Sequence, residues 1–253
     1  MRFYLLILLS FVLAGCGQKS EKGAAASTAP KKVLQAAICP TSPPNCFQHN
    51  QVYSGIDIEI FKLFCESRGS TFETTAYDWA GMLGAVIAKR ADVAFSGISI
   101  TEKRKEVMDF SDTYMINTLV IASLSSRGIL MKTTADWKPY RLAFVRGMYF
   151  ADLIKTTYKD VYDYSSLRQY PSYNELLADL GNGNVDGAFM DSLVLADQKE
   201  KGIYDLATSF TLAEDDQFGF AFPKESPLRD EFNQFMKSHP DEIHEIINRY
   251  MMK

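Results

Sequence analysis

Apolar residues return along this chain at two periods. Residues 33–38 run almost unbroken apolar, as in a strand covered on both faces. Ile58, Phe61 and Cys65, with Ile60 and Phe64 beside them, recur at helical spacing and predict a helix over 57–67. Residues 72–77 read as a strand. Met82, Leu83, Val86 and Ile87 form one face of a second helix, and 91–95 a short strand. This β, α, β, α, β order predicts a parallel sheet with covering helices.

A second such unit follows the apolar stretch 118–122. It comprises a strand at 142–145, a helix from about Met148, and a helix at 173–180. Ser172 and Glu175 are spaced as a capping box at the start of that last helix, and Gly181 and Gly183 end it. A strand at 185–190, a helix through Lys199 and a strand at 218–222 come next. Two helices, about 227–237 and 241–251, close the chain on either side of Pro240. The βα grammar appears twice without a sequence repeat, so the fold class is α/β.

The first residues have a different pattern. Arg2 precedes an apolar run, 3–12, broken only by Ser10 and far short of the ~20 residues that span a bilayer. It reads as a signal peptide, and Leu13-Ala14-Gly15-Cys16 resembles a bacterial lipobox. Residues 1–15 would then be removed and Cys16 lipidated. The Gly-, Ala- and Ser-rich 16–31 would tether the domain to a membrane outside the cytoplasm. That compartment permits disulfides. Cys39 and Cys46 flank a loop holding Pro40, Pro43 and Pro44 and are expected to close a short ring, with Cys65 a buried thiol.

With 47% hydrophobic residues the chain can build a core, and 27 Lys+Arg against 31 Asp+Glu gives no basic excess for nucleic acid. Three scattered histidines and the lack of a C-x-x-C pair argue against a metal site. No phosphate loop is present; Gly181 to Gly187 follows a helix and precedes a strand, the reverse of what a dinucleotide site needs. No cofactor is expected.

The run from Ala94 to Tyr114 carries the candidate chemistry. A buried strand bends at Gly97, offers Ser99, and starts a short helix with Thr101 as N-cap. Backbone N–H groups at a helix start suit an anion, and Arg104, one turn in, could present a bidentate fork to a carboxylate. A capped surface helix with a solvated arginine fits the residues equally well.

The run resembles the signature of the extracytoplasmic amino-acid-binding proteins of ABC importers, the family 3 solute-binding proteins. These carry small-Gly-hydrophobic-[ST]-Ile-Thr-x-x-Arg and then Asp-Phe-[ST]-x-x-Tyr. Gly55-Ile-Asp-Ile-Glu59, Asp78-Trp79 and Gly183-Asn-Val-Asp-Gly-Ala-Phe-Met-Asp191 resemble other family segments in the same order. The resemblance implies a type II periplasmic-binding-protein fold of two lobes. Each lobe is a mixed, mostly parallel sheet flanked by helices, and two hinge strands join them. Lobe 1 would take 32–117 and 215–253, and lobe 2 would take 118–214.

By the same resemblance, Arg104 would bind the ligand α-carboxylate, with Ser99 and the backbone at Tyr149. Asp191 would take the α-ammonium, assisted by the Gly97 carbonyl, and Trp79 would lie along the ligand side chain. Ser96 and Gly147 complete the ligand-binding set. The turn Gly147-Met148-Tyr149 departs from the family's Gly-Thr-Thr or Gly-Thr-Gly. The implied function is capture of a free amino acid by a monomer and delivery to an ABC permease with its ATPase. A cyclohexadienyl dehydratase-like enzyme on the same scaffold needs an acid after Asp191, where Ser192-Leu193-Val194-Leu195 offers none; a sensor without transport is the other alternative. Relatives that bind basic amino acids usually place a carboxylate at the end of the first strand. Ile38 stands there, with Cys39 and Pro40 next, so a neutral, polar or apolar ligand is expected; Asp78 reaching the cleft would admit a basic one.

Overall fold

The computed structural model describes residues 32–251; the signal peptide, Cys16 and the tether lie outside them. The chain opens with β1 (Val33–Ile38) and a small antiparallel sheet of β2 (Thr41–Ser42), β3 (Cys46–His49) and β4 (Val52–Ser54). Then come α1 (Ile56–Ser67), β5 (Thr71–Ala76), α2 (Trp79–Ile87), β6 (Val93–Ser99), α3 (Glu102–Lys105) and β7 (Met108–Phe110). The long β8 (Met115–Leu124) leads to β9 (Leu142–Val145), α4 (Phe150–Thr156), β10 (Arg168–Tyr170), α5 (Tyr173–Gly181), β11 (Gly187–Asp191) and α6 (Ser192–Lys201). The 18-residue β12 (Leu206–Pro223) returns, and α7 (Pro227–Ser238) and α8 (Pro240–Met251) finish the fold.

Nine strands form one sheet in the order β10-β9-β11-β8-β12-β6-β1-β5, with β7 paired to β12. The outer three strands at each end are mutually parallel. Between them β8 and β12 run antiparallel to each other and to their neighbours, and join the β5-β1-β6 lobe to the β10-β9-β11 lobe. The alternating βα pattern therefore becomes two parallel halves, as expected.

Packing follows the apolar faces. Ile56, Ile60, Phe61, Phe64 and Cys65 bury one side of α1 on the first lobe's sheet. There Phe61 lies 5.2 Å from the Phe95 ring and 6.1 Å from Phe232, and Phe220 and Phe235 join the cluster. Each such ring contributes about 1.5–3 kcal/mol by leaving water. Ile38 belongs to this aromatic core. Cys39, the next residue, packs instead in the core cluster that holds Trp79 and Met148.

In the second lobe Asp186 sets the start of β11. It accepts from the Arg141 backbone N–H at 2.8 Å, from Arg141 Nε at 2.9 Å, and from Arg127 Nη1 at 2.6 Å. The hydrogen bonds from Arg141 hold its carboxyl down to about 2.

Three differences from the pattern-based reading have physical causes. β12 extends far upstream of 218–222 because register shifts between 208 and 216 break the alternation that marks a strand. The hairpin β3–β4 turns through Asn50 and Gln51, both with positive φ (48° and 64°), without the glycine that usually signals such a turn. Cys39 and Cys46 do not bridge: both are buried free thiols, as is Cys65. The β2–β3 register sets Cys46 opposite Ser42, while Cys39 Sγ lies 3.5 Å from Thr41 Oγ1.

Candidate functional site

The corner between β6 and α3 is built around one glycine. Gly97 has φ +68°, and a Cβ there would lie 3.0 Å from Phe218 and 3.1 Å from Asn45. Its N–H donates to Asp57 Oδ2 at 2.8 Å. Asp57, in the first turn of α1, also accepts from Tyr114 OH at 2.6 Å and from Asn45 Nδ2 at 3.3 Å. Burial outweighs these bonds and lifts its carboxyl to about 6. Gly97→Ala is therefore expected to cost about 1–2 kcal/mol from the left-handed backbone alone, with the steric contacts adding to it. Urea denaturation checks this; unchanged stability would show that the corner relaxes freely.

Beyond the corner, Thr101 caps α3 by accepting from the Arg104 N–H at 3.2 Å. Arg104 is buried, not a solvated surface arginine. Its Nη1 donates to the Ser99 carbonyl at 2.7 Å and its Nη2 to the Gly147 carbonyl of the second lobe at 3.1 Å. A guanidinium has five N–H donors, so these two bonds orient the fork and leave others for an anion. Burial lowers its pKa, against the pull of Asp216, Asp152 and Asp191.

Asp191 ends β11 at the N-cap position of α6, yet its side chain makes no capping bond. It accepts instead from Asn117 Nδ2 at 2.8 Å and from Tyr173 OH at 3.1 Å. The same Asn117 nitrogen donates to Asp216 Oδ2 at 3.2 Å, and Ser99 Oγ donates to that oxygen at 3.2 Å. Asn117 on β8 and Asp216 on β12 are direct cross-strand partners. Through this pair the hinge connects Ser99 of the first lobe to Asp191 of the second. Burial and the charge of Asp216 push Asp191 up to about 7; burial lifts Asp216 to about 6.

Asp216 and Asn117 were not among the sequence-predicted residues. Glu214-Asp215-Asp216 reads as a solvated acidic run, and two of the three are exposed. The alternation of Asp216, Phe218 and Phe220 into the interior was the available signal.

Trp79 is 1% exposed at the start of α2, and its Nε1–H has no partner among the described residues. Gly147, with φ +84°, lies against it: a Cβ there would be 3.2 Å from Trp79 Cδ1. Tyr149 stands at the N-cap of α4, half-buried, with burial raising its pKa. Ser96 is committed to the backbone, donating to the Phe95 carbonyl and accepting from the Cys39 N–H at 2.9 Å. Asp78, exposed at the start of α2, caps that helix by accepting from the Gly81 N–H at 2.7 Å.

Ser99, Arg104, Gly147, Trp79 and Asp191 thus converge where the lobes meet, while Ser96 and Asp78 hold local backbone. Further contacts cross the same seam. Lys103 Nζ lies 2.5 Å from Asp152, Lys201 sits 5.7 Å over the Phe47 ring, and β2 packs against α5. The seam buries a cation from one lobe and a carboxylate from the other, a fit to a zwitterion.

Comparison with known proteins bears on the family and the fold. The profile of the bacterial extracellular solute-binding proteins, family 3, matches residues 34–253. The arginine-binding extracellular protein ArtP of Bacillus subtilis is 25% identical over 249 residues, covering 95% of this chain and 94% of ArtP. A probable histidine-binding protein of Neisseria gonorrhoeae is 24% identical over 188 residues, covering 74% and 69%. Among solved structures, the arginine-, lysine-, histidine-binding protein ArtJ of Geobacillus stearothermophilus superposes with a TM-score of 0.79 at 21% identity, over 88% of this chain and 96% of ArtJ.

Proposed function

The chain belongs to the bacterial extracellular solute-binding proteins of family 3, and we propose that it captures one free amino acid between its lobes and delivers it to the permease of an ABC importer. The lobes are residues 32–117 with 215–253, and 118–214. The observation that carries the reading is the buried pair of opposite charges, Arg104 from the first lobe and Asp191 from the second, linked by hydrogen bonds through Ser99, Asp216 and Asn117.

In the complex the remaining Arg104 donors take the α-carboxylate, with the backbone at Tyr149. Asp191 accepts from the α-ammonium, with the Gly97 carbonyl beside it, and Trp79 packs along the ligand. Opening and closing pivot on β8 and β12 and make or break the Arg104–Gly147 and Lys103–Asp152 contacts. Relatives named for arginine and histidine support an amino-acid ligand. The domain works outside the cytoplasm, held to a membrane through lipidated Cys16 and the tether 16–31. Mass spectrometry of small molecules released on denaturing the purified protein, followed by calorimetry, tests the reading. One free amino acid per chain is expected. None released, and no heat with any of the common amino acids, would refute it.

A further inference from the structure

Trp79 carries a buried donor that the fold itself does not use. It is 1% exposed, and its Nε1–H has no acceptor among the described residues. Nearly all buried N–H groups in folded proteins are paired, so this one needs a reason. Trp137 makes the contrast. Its Nε1–H also lacks an acceptor, but its indole stands edge-on to Tyr158, Phe189 and Phe210, with ring centroids 4.9, 5.6 and 5.3 Å away. Those rings offer it π electrons. Trp79 has no ring contact among the described residues.

Its place in the fold points across the seam. Trp79 opens α2 of the first lobe. Its Cδ1, the atom bonded to Nε1, lies 3.2 Å from where a Cβ on Gly147 of the second lobe would stand, nearer than any other part of the ring. The Gly147 carbonyl accepts from Arg104 Nη2 at 3.1 Å. The N–H edge of the indole and the guanidinium fork therefore meet at one glycine. An indole N–H donates and cannot accept, so it cannot serve an ammonium. The acceptor common to all free amino acids is the α-carboxylate, whose two oxygens take about four hydrogen bonds. That is room for the spare Arg104 donors, a backbone N–H and one indole.

Resting on the amino-acid reading above, we propose that the Trp79 Nε1–H donates to the α-carboxylate of the captured amino acid, which makes Trp79 a second carboxylate-recognising side chain beside Arg104 and not only a packing surface. A hydrogen bond to a charged oxygen is of the stronger kind, and at 1% exposure bulk water does not compete for this donor.

The test exploits a chain with only two tryptophans. Nitrogen-labelled protein gives two indole N–H resonances, and Trp79→Phe assigns them. The common amino acids are titrated one by one, and the tightest binder is the probe. At saturation the Trp79 resonance should move downfield and exchange with solvent more slowly, while that of Trp137 stays. Benzothienylalanine keeps the two-ring shape with sulfur in place of the N–H. Put at position 79, it should weaken the probe by at least about tenfold in calorimetry, in a protein whose thermal melt confirms the fold. Affinity within threefold of the parent would show that the indole only packs, and would overturn the proposal. A Trp79 resonance unmoved at saturation would overturn it equally. Both outcomes leave the amino-acid reading standing, whereas failure of every amino acid to bind the parent would remove that reading and this inference together. Should the variants fail to fold, a parent spectrum in which one indole resonance shifts or neither does decides alone.

Discussion

Arg104→Ala should weaken amino-acid binding by a factor on the order of 100 or more while the protein remains folded. In the complex the ligand carboxylate is closed into the seam, and without the guanidinium it is buried unpaired. Loss of one partner of such a pair costs roughly 2–5 kcal/mol, and every 1.4 kcal/mol is about tenfold in affinity. Arg104→Lys should not restore binding. One ammonium cannot hold the Ser99 and Gly147 carbonyls, 2.7 and 3.1 Å from two different guanidinium nitrogens, and still meet a carboxylate in a plane. Stability should fall by a few kcal/mol, because the Ser99 and Gly147 carbonyls lose their donor and the buried Asp191 and Asp216 lose their nearby cation. Calorimetry with the released amino acid, alongside circular dichroism, measures both. Affinity within threefold of the parent would show that Arg104 only joins the lobes.

The second large effect is on pH. Asp191 is lifted to about 7 and Asp216 to about 6 in the free protein, with burial the leading cause for both. A carboxylate raised in the folded state holds its proton to higher pH than in the unfolded chain. Its contribution to stability is complete below the unfolded value and is lost as pH rises through 6 to 7. Ligand binding runs the other way, because an ammonium needs the carboxylate ionised and must displace that proton. For Asp191 alone, affinity at pH 5 should be on the order of 100-fold below that at pH 8.

Asp57, also lifted to about 6, contributes to stability in that window but not to affinity, since its donors are Gly97, Tyr114 and Asn45. Asp186, held at about 2, stays ionised throughout. Titration calorimetry in buffers of different ionisation enthalpy should record proton release near pH 6. Asp191→Asn should bind weakly at every pH and flatten the profile. A parent affinity that is flat from pH 5 to 8 would rule out Asp191 as the ammonium partner.

Much of this protein is local in origin and so was legible in its residues. Apolar spacing on α1, α2 and α5 places one face of each helix against a sheet. The Gly97, Thr101 and Arg104 series sets a bend, a cap and a fork within eight residues, and the structure has all three. The second-lobe glycines are similarly local, with Gly183 ending α5 at φ +72°. The order of these segments also carried the family.

What depended on distant chain was not legible. Whether Arg104 is solvated or buried depends on Gly147, 43 positions away, lying over it. Which way Ile38 points depends on a phenylalanine cluster drawn from α1, β6, β12 and α7. The same alternation would fit either face of its strand. Asp216 sits in an acidic run that reads as solvated, and its alternation with Phe218 and Phe220 was the one local sign that it turns inward. Bulges in β12 and the facing Asn117 turn it inward beside Asp191. By itself the sequence determined most of the helices and the parallel strands, the corner that carries Arg104 and the family, because backbone preference and side-chain periodicity act over a few residues. Only the tertiary structure decided the charge balance of the site, because burial and the distance between carboxylates belong to segments that meet only when the sheet is complete.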